Sequence, residues 1–340
     1  MKVLVTGAAG FIGFYVSKML LEKGHTVVGL DNINDYYSID LKYARLAQLG
    51  IDRNKAEVFG TEVASATHPE FRFVRMGLED RAGLPQLFAE HGFDAVCNLA
   101  AQAGVRYSLE NPHAYMDSNM VGFLNVLECC RHHKIKHLVY ASSSSVYGLN
   151  DKVPFETTDR VDHPISLYAA TKKSNELMAH TYSHLYGFPS TGLRFFTVYG
   201  PWGRPDMAYF SFTKAIRANT PITVYNEGKL SRDFTYIDDI VQGLVRILEQ
   251  GPVDPPQGSA PATIYNIGRG RPVALMDFIE TIAKGLGTTP QLQMLPMQDG
   301  DVLTTWADTT ALEKDYGYTP KIGLKQGMDA FLSWYATYHD

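Results

Sequence analysis

The chain has 340 residues, 45% hydrophobic and 20% charged, with 31 Lys and Arg against 36 Asp and Glu for a formal net charge of −5. That length carries a large core and two unequal domains, and the acidic balance leaves no broad basic field to collect nucleic-acid phosphates. The three cysteines (Cys97, Cys129, Cys130) lack metal-ligand spacing, and no run approaches the roughly 20 apolar residues that span a bilayer. The expectation is a soluble protein of a reducing cytoplasm, with no metal, membrane or nucleic-acid partner.

Short apolar runs predict strands at 2–6, 26–31, 71–75, 95–99, 137–142 and 191–196. Helix-period patterns lie between them at 11–23, 81–91, 119–132 and 167–186. This alternation implies an α/β fold: a Rossmann-type, doubly wound parallel sheet with right-handed crossovers, and ligands at the carboxyl ends of the strands. After Phe196, prolines at Pro201, Pro205, Pro221, Pro252, Pro255 and Pro256 break the rhythm, and helical patterns resume at 209–218, 238–250, 274–286 and 324–338. The reading divides the chain into residues 1–196 and a smaller C-terminal α/β domain, 197–340, with part of 233–268 returning to the first.

The first strand empties into Gly7-Ala8-Ala9-Gly10-Phe11-Ile12-Gly13. Gly7 permits the tight turn, Gly10 lets backbone approach a pyrophosphate, and Gly13 lets the helix pack on the strand. The helix N-terminus adds free amides and a positive dipole. Asp31 ends the second strand, 18 residues after Gly13, where a carboxylate accepts both hydroxyls of an adenosine ribose and repels a 2′-phosphate. NAD is therefore expected in domain 1–196, leaving 197–340 to a substrate.

Tyr168 and Lys172 stand four apart, on one helical face. Free tyrosine ionises near pH 10, and the Lys172 cation with a positive nicotinamide is expected to bring Tyr168 toward the range a base needs. The strand at 137–142 runs into Ser142-Ser143-Ser144-Ser145-Val146-Tyr147-Gly148, where a hydroxyl can share the proton. A helical Tyr beside a surface Lys, and serines satisfying a strand terminus, are the plainer alternatives.

The Gly-x-x-Gly-x-x-Gly spacing, with Tyr168, Lys172 and the serine run, resembles the extended short-chain dehydrogenase/reductase family. The resemblance implies cofactor contacts from Gly7, Gly10, Phe11, Ile12, Gly13, Asp31, Asn32, Asn34, Leu78, Leu99, Ala100, Ala101, Tyr168 and Lys172, and a catalytic triad of Ser143, Tyr168 and Lys172. Two positions depart from the family: Asn98 stands where relatives usually carry His, and Gly77 near where they often carry Asp. Dehydratase relatives place acids just before Val-Tyr-Gly, where this chain has Ser144 and Ser145, so the resemblance favours C4 epimerisation through a 4-keto intermediate.

Across the whole chain the resemblance is to UDP-glucuronate 4-epimerases. It is carried by Asp31-Asn32-Ile33-Asn34-Asp35-Tyr36-Tyr37, Ala100-Ala101-Gln102-Ala103-Gly104-Val105-Arg106-Tyr107-Ser108, Arg194-Phe195-Phe196-Thr197-Val198-Tyr199-Gly200-Pro201 and Arg204-Pro205-Asp206-Met207-Ala208. Arg232-Asp233-Phe234-Thr235-Tyr236 and Gly300-Asp301-Val302, followed by Ala307-Asp308-Thr309, complete it. It implies conversion of UDP-glucuronate to UDP-galacturonate, a homodimer through helices 119–132 and 167–186, and substrate contacts from Arg106, Ser143, Ser144, Tyr168, Thr197, Arg204, Tyr225, Arg232 and Asp301.

Oxidising glucuronate at C4 makes a β-keto acid that readily loses carbon dioxide, so a site must clamp the carboxylate. Arg204 offers a planar, two-pronged donor and Thr197 a hydroxyl. The alternatives are an Arg204 paired with Asp206, a Thr197 satisfied at a strand end, and an Arg232 paired with Asp233 or Asp238. Phe210, Phe212 and Tyr225 either flank the uracil or join the core. Rival functions are a UDP-glucose/UDP-galactose 4-epimerase, an enzyme of net redox turnover, and a non-catalytic NAD-binding regulator, which the intact triad disfavours. Trp202 carries no firm expectation.

Overall fold

The computed structural model describes residues 1–255, 257–297 and 302–339. In the first strand, β1 (Lys2–Thr6), Val3 and Val5 pack on one face of a sheet and Leu4 on the other, the two-residue period of a strand covered on both sides. The chain continues through β2 (Thr26–Asp31), β3 (Glu62–Ala64), β4 (Phe71–Arg75), β5 (Ala95–Asn98), β6 (His137–Ser143) and β7 (Ser190–Phe195). Then come β8 (Thr197–Tyr199), β9 (Ile222–Tyr225), β10 (Ser231–Tyr236), β11 (Ala262–Ile267), β12 (Pro272–Ala274) and β13 (Leu292–Leu295). The α-helices of seven residues or more, among the described residues, are α1 (Phe11–Glu22), α2 (Ile39–Gln48), α3 (Gly83–His91), α4 (Phe123–His132) and α5 (Leu167–Tyr186). They continue with α6 (Ala208–Arg217), α7 (Ile237–Gln250), α8 (Leu275–Leu286), α9 (Thr310–Tyr316) and α10 (Leu324–His339).

The main sheet has eight strands in the order β11-β7-β6-β5-β1-β2-β4-β3, parallel except for the antiparallel edge strand β3. Helices α1 and α7 pack together over one face, and α3, α4 and α5 cover the other with Leu84, Phe88, Val126, Leu127 and Ala179. The chain winds outward in both directions from the neighbours β1 and β5, and this reversal opens a crevice at their carboxyl ends.

The six strands expected from sequence form within a residue or so of their expected bounds. Among the elements that the sequence did not place, three bear on the main sheet. Helix α2 turns Lys42 and Arg45 inward among Leu41, Tyr43 and Leu46, and the two charges mask its apolar face. The three-residue β3 is mostly exposed. Strand β11, not placed as a strand but inside the 233–268 segment expected to return to the first domain, pairs in parallel with β7, from Ala262 opposite Ser190 to Ile267 opposite Phe195, at the sheet edge opposite β3. The helix expected at 119–132 opens as a π-helical turn, Met116–Gly122, before α4.

Beyond β7 a second assembly joins β8, β10 and β12 in one small sheet and β9 with β13 in another. Its core of Tyr199, Tyr209, Phe234, Phe278 and Phe331 runs on into the α1 side of the main sheet. Phe234 and Phe278 stack at 3.9 Å, fixing β10 against α8.

Candidate active site

One cavity of about 1100 Å³ lies at the crevice, between the carboxyl ends of the parallel strands and the second assembly. Every described residue expected to touch a cofactor or substrate lines it: Gly7, Gly10, Phe11, Ile12, Gly13, Asp31, Asn32, Asn34, Leu78, Leu99, Ala100 and Ala101 at one end. Arg106, Ser143, Ser144, Tyr168, Lys172, Thr197, Arg204, Tyr225 and Arg232 line the remainder. Asp301 lies outside the described residues. Asn98, Gly77 and Trp202 do not line the cavity. Asn98 is buried, accepting from the Thr6 hydroxyl at 2.7 Å, and Trp202 packs its ring on Phe14, Trp334 and Tyr338.

The glycine end is shaped by backbone proximity. A Cβ on Gly13 would collide with the Gly7 carbonyl oxygen and stand 2.7 Å from its carbon, so only glycine lets α1 close on the turn. No side chain caps α1, which leaves the amides of its first turn facing the cavity. Asp31 is fixed by accepting from Ala9 N at 3.1 Å and Ile33 N at 2.8 Å, and Ile33 takes a positive φ of 53° beside it. Asn34 donates to Gln102 at 3.1 Å. Uncapped amides, a fixed carboxylate at the end of β2 and a backbone that no Cβ could enter together fit a dinucleotide.

The polar centre sits over β6. Ser166 caps α5 by accepting from Ala169 N at 3.1 Å, which puts Tyr168 and Lys172 in its first two turns. Lys172 is buried, and its ammonium donates to Ala141 O at 2.9 Å, its one hydrogen bond among the described residues, so two further donors remain for a ligand. Burial pushes this ammonium down to about 8. Tyr168 is half-buried, and burial raises its phenol above the ordinary value, offset in part by the Ser143 hydroxyl and the Arg204 charge. Lys172 is not among the groups that shift it here: its ammonium stands 6.0 Å from the ring centroid and is turned to a strand carbonyl. Behind these groups, Glu176 and Arg194 form a buried two-pronged pair at 2.8 and 2.9 Å, with the Ser142 hydroxyl also donating to Glu176 at 2.7 Å. That pair ties α5 to β6 and β7.

At the far end Arg204 pairs with Asp206 through two contacts, at 3.1 and 2.5 Å, so the plainer alternative for Arg204 is present while its side chain still lines the cavity. Arg232 donates to the carbonyls of Ser231 and Leu303 at 2.9 and 3.2 Å. Asp233 instead accepts from the backbone amides of Arg269, Gly270 and Ala307. Arg106 lies over the Tyr225 ring at 5.6 Å. Phe212 faces the cavity, whereas Phe210 packs on Phe331, Trp334 and Tyr335 in the core.

Residues 3–268 match the model of the NAD dependent epimerase/dehydratase family. The chain belongs to that family. It is 48% identical to a probable UDP-glucuronate 4-epimerase of Rhizobium meliloti, over 98% of this chain and 97% of the relative. A crystal structure of UDP-glucuronic acid 4-epimerase from Bacillus cereus with UDP-glucuronic acid and NAD is 31% identical over 100% of both chains, with a TM-score of 0.86. A UDP-glucose 4-epimerase from Thermotoga maritima with UDP-glucose is 27% identical over 100% of both chains, with a TM-score of 0.85. Two sugars on nearly equal likeness of fold leave the choice between them to side chains.

Other groups around this family member's cavity had no expected role. Lys42 from α2 donates to the Asn34 backbone and side-chain oxygens at 2.7 and 2.6 Å and lies over Tyr37 at 4.8 Å. Arg45 is fully buried and spends its guanidinium on uncharged acceptors. It donates to Ala9 O at 2.9 Å, Tyr37 Oη at 2.7 Å, Trp202 O at 3.0 and 2.7 Å, and Gly203 O at 3.2 Å. The signal available in the sequence was spacing. Arg45 lies four residues after Leu41 and Lys42 four before Leu46, which puts both cations on the helix's apolar side, but their own charge obscured it.

Proposed function

We propose that this chain is an NAD-dependent isomerase that interconverts UDP-glucuronate and UDP-galacturonate by epimerisation at C4. The observation that carries the sugar assignment is a guanidinium, Arg204, lining the same cavity as Tyr168 and close enough for its charge to favour the Tyr168 phenolate. Thr197 lines the same cavity at the start of β8. A uronate carboxylate gives the part of this guanidinium that Asp206 leaves open a partner of opposite charge, which a neutral sugar does not.

In this reading Tyr168 takes the proton of the C4 hydroxyl and Ser143 shares it, the two hydroxyls standing at the carboxyl end of β6. Bound NAD supplies the hydride acceptor for C4 and the donor for its return. Lys172 holds its charge beside the cofactor ribose, with Ala141 O fixing its direction. Asp31 receives the adenosine ribose hydroxyls, and the first-turn amides of α1 receive the pyrophosphate. Arg204 and Thr197 grip the carboxylate so that the C5–C6 bond stays out of line with the C4 carbonyl, and Arg232 meets the diphosphate. Arg106 over Tyr225 forms a flat charged wall for the nucleotide. Asp301 belongs to the same proposed substrate set.

The protein is further proposed to work in the cytoplasm as a homodimer. Its three thiols are free and buried, and burial pushes that of Cys129 up to about 12, as a reducing compartment allows. Leu177 and Leu185 are exposed two helical turns apart on α5, and Leu124 is exposed on the adjoining α4, apolar groups suited to a twofold copy of the same face. No helix among the described residues is long and apolar enough to cross a membrane.

The test is NMR of the purified protein with UDP-glucuronate and no added cofactor. Appearance of UDP-galacturonate is expected. Turnover of UDP-glucose alone, even with NAD supplied, would replace this reading with the neutral-sugar epimerase.

A further inference from the structure

Arg204 has two edges on which a carboxylate can sit, and they are used differently. The Nε–Nη2 edge donates to Asp206 at 3.1 and 2.5 Å. Nη1 makes no hydrogen bond among the described residues, which leaves the Nη1–Nη2 edge to the cavity. Asp206 Oδ2 also accepts from the Tyr36 hydroxyl at 3.1 Å. Tyr36 comes from the loop after β2, the same loop whose Asn34 is bonded to Gln102.

That reach across the cavity is built into the backbone. The Tyr36 ring packs on Tyr107 at 4.8 Å and passes over Gly104, which holds a φ of 102°. A Cβ on Gly104 would collide with the Tyr36 hydroxyl and stand 3.2 Å from Cζ. The segment after β5 thus leaves room for the Tyr36 phenol, whose acceptor is Asp206 on the sugar side.

We propose that Asp206 and Tyr36 are positioning residues that turn the open edge of Arg204 toward the substrate carboxylate, locking the cofactor-side loop and the sugar clamp into one unit. The proposal rests on the uronate reading above. Two carboxylates on one guanidinium repel each other, so each must be held by donors of its own. Tyr36 donates to Asp206 and, with Arg204, favours its ionised form, and Asp206 keeps to the edge the substrate does not need. A carboxylate held in this way orients rather than competes.

The experiment compares full-length wild type, Asp206→Asn, Tyr36→Phe and the double variant on UDP-glucuronate, reading KM, kcat and product identity by NMR. A loosened clamp has its own chemical signature. The C5–C6 bond breaks, carbon dioxide leaves, its electron pair enters the C4 carbonyl, and a proton arrives at C5 to give a UDP-4-keto-pentose. Asp206→Asn is expected to raise KM about ten- to hundredfold, the worth of charge-assisted hydrogen bonds, and Tyr36→Phe about tenfold or less. Both should increase the share of decarboxylated product, and the double variant should be no worse than Asp206→Asn because the two act in series. An unchanged or lowered KM with the wild-type product ratio in both variants would overturn the proposal, since a competing carboxylate predicts tighter binding when removed. Bound NAD and thermal midpoint are measured alongside; should Asp206→Asn misfold, Tyr36→Phe, which loses a single oxygen, decides alone. If wild type itself leaves UDP-glucuronate unchanged, the uronate reading falls and takes this proposal with it; if only the variants match wild type, the proposal falls by itself.

Discussion

Replacing Gly13 by alanine sets two effects of opposite sign against each other. Alanine in a helix interior is favoured over glycine by up to about 1 kcal/mol. Against that, the new methyl group would overlap the Gly7 carbonyl and stand 2.7 Å from its carbon, where ordinary contact begins near 3.4 Å. Both obstacles are backbone, so relief requires moving the turn itself, and the turn is held by Gly10 N donating to Gly7 O at 2.9 Å. Overpacking of this kind costs about 1–3 kcal/mol, and a weakened hydrogen bond adds about 1 kcal/mol. The clash therefore wins by about 1–3 kcal/mol. With an unfolding entropy proportional to chain length, the midpoint should fall by roughly 1.5 °C per kcal/mol. The larger loss is expected in cofactor: NAD released by acid from the purified variant should drop well below one per chain while wild type stays loaded. Gly285→Ala is the matched control, because there the added methyl meets only the mobile end of Leu332. A Gly13→Ala protein with wild-type midpoint and full NAD would refute the claim that this glycine is set by backbone contact.

Tyr168→Phe should retain NAD yet lose about 10²- to 10⁴-fold in kcat on UDP-glucuronate, the usual worth of a general base, as measured by single-turnover NMR or coupled assay. Lys172 carries a pH signature: its folded value near 8 lies below its unfolded value near 10.5. Between these the unfolded chain holds more protons, so the stability tied to this group is absent below pH 8 and grows as pH rises toward 10.5. Cofactor-stripped wild type should accordingly gain midpoint relative to Lys172→Met from about pH 8 to about pH 10; a flat difference would contradict the burial argument. Glu176→Gln leaves Arg194 charged and buried, and should cost about 3–5 kcal/mol in urea unfolding. Leu177→Glu with Leu185→Glu should shift sedimentation from dimer to monomer if the α5 stripe is the twofold contact.

The parallel strands were legible because a strand buried on both faces is a continuous apolar run, and Val3-Leu4-Val5 is one. The glycine turn and Asp31 were legible because their chemistry is local. Helix α2 was not, since two of its inward positions are Lys42 and Arg45, whose acceptors lie on other segments, up to 158 residues away. Strand β11 hid for a similar reason: Asn266 is buried by donating to Phe155 O at 2.7 Å, a partner that no local pattern reveals. The direction of the Lys172 ammonium also escaped the sequence, because four-residue spacing puts Lys172 on the right helical face without saying that its ammonium turns to Ala141.

Arg45 has a consequence for anyone recombining this chain with a relative. Its guanidinium stays with the first half of the chain, while three of its five contacts, to the carbonyls of Trp202 and Gly203, arrive with the second. A crossover placed between β7 and Trp202 is a tempting way to graft a new sugar preference, yet it splits a lock from its key. Such a hybrid keeps its shape only if the incoming loop returns carbonyls to the same point, so the graft must be chosen by the path of its main chain before its side chains are considered.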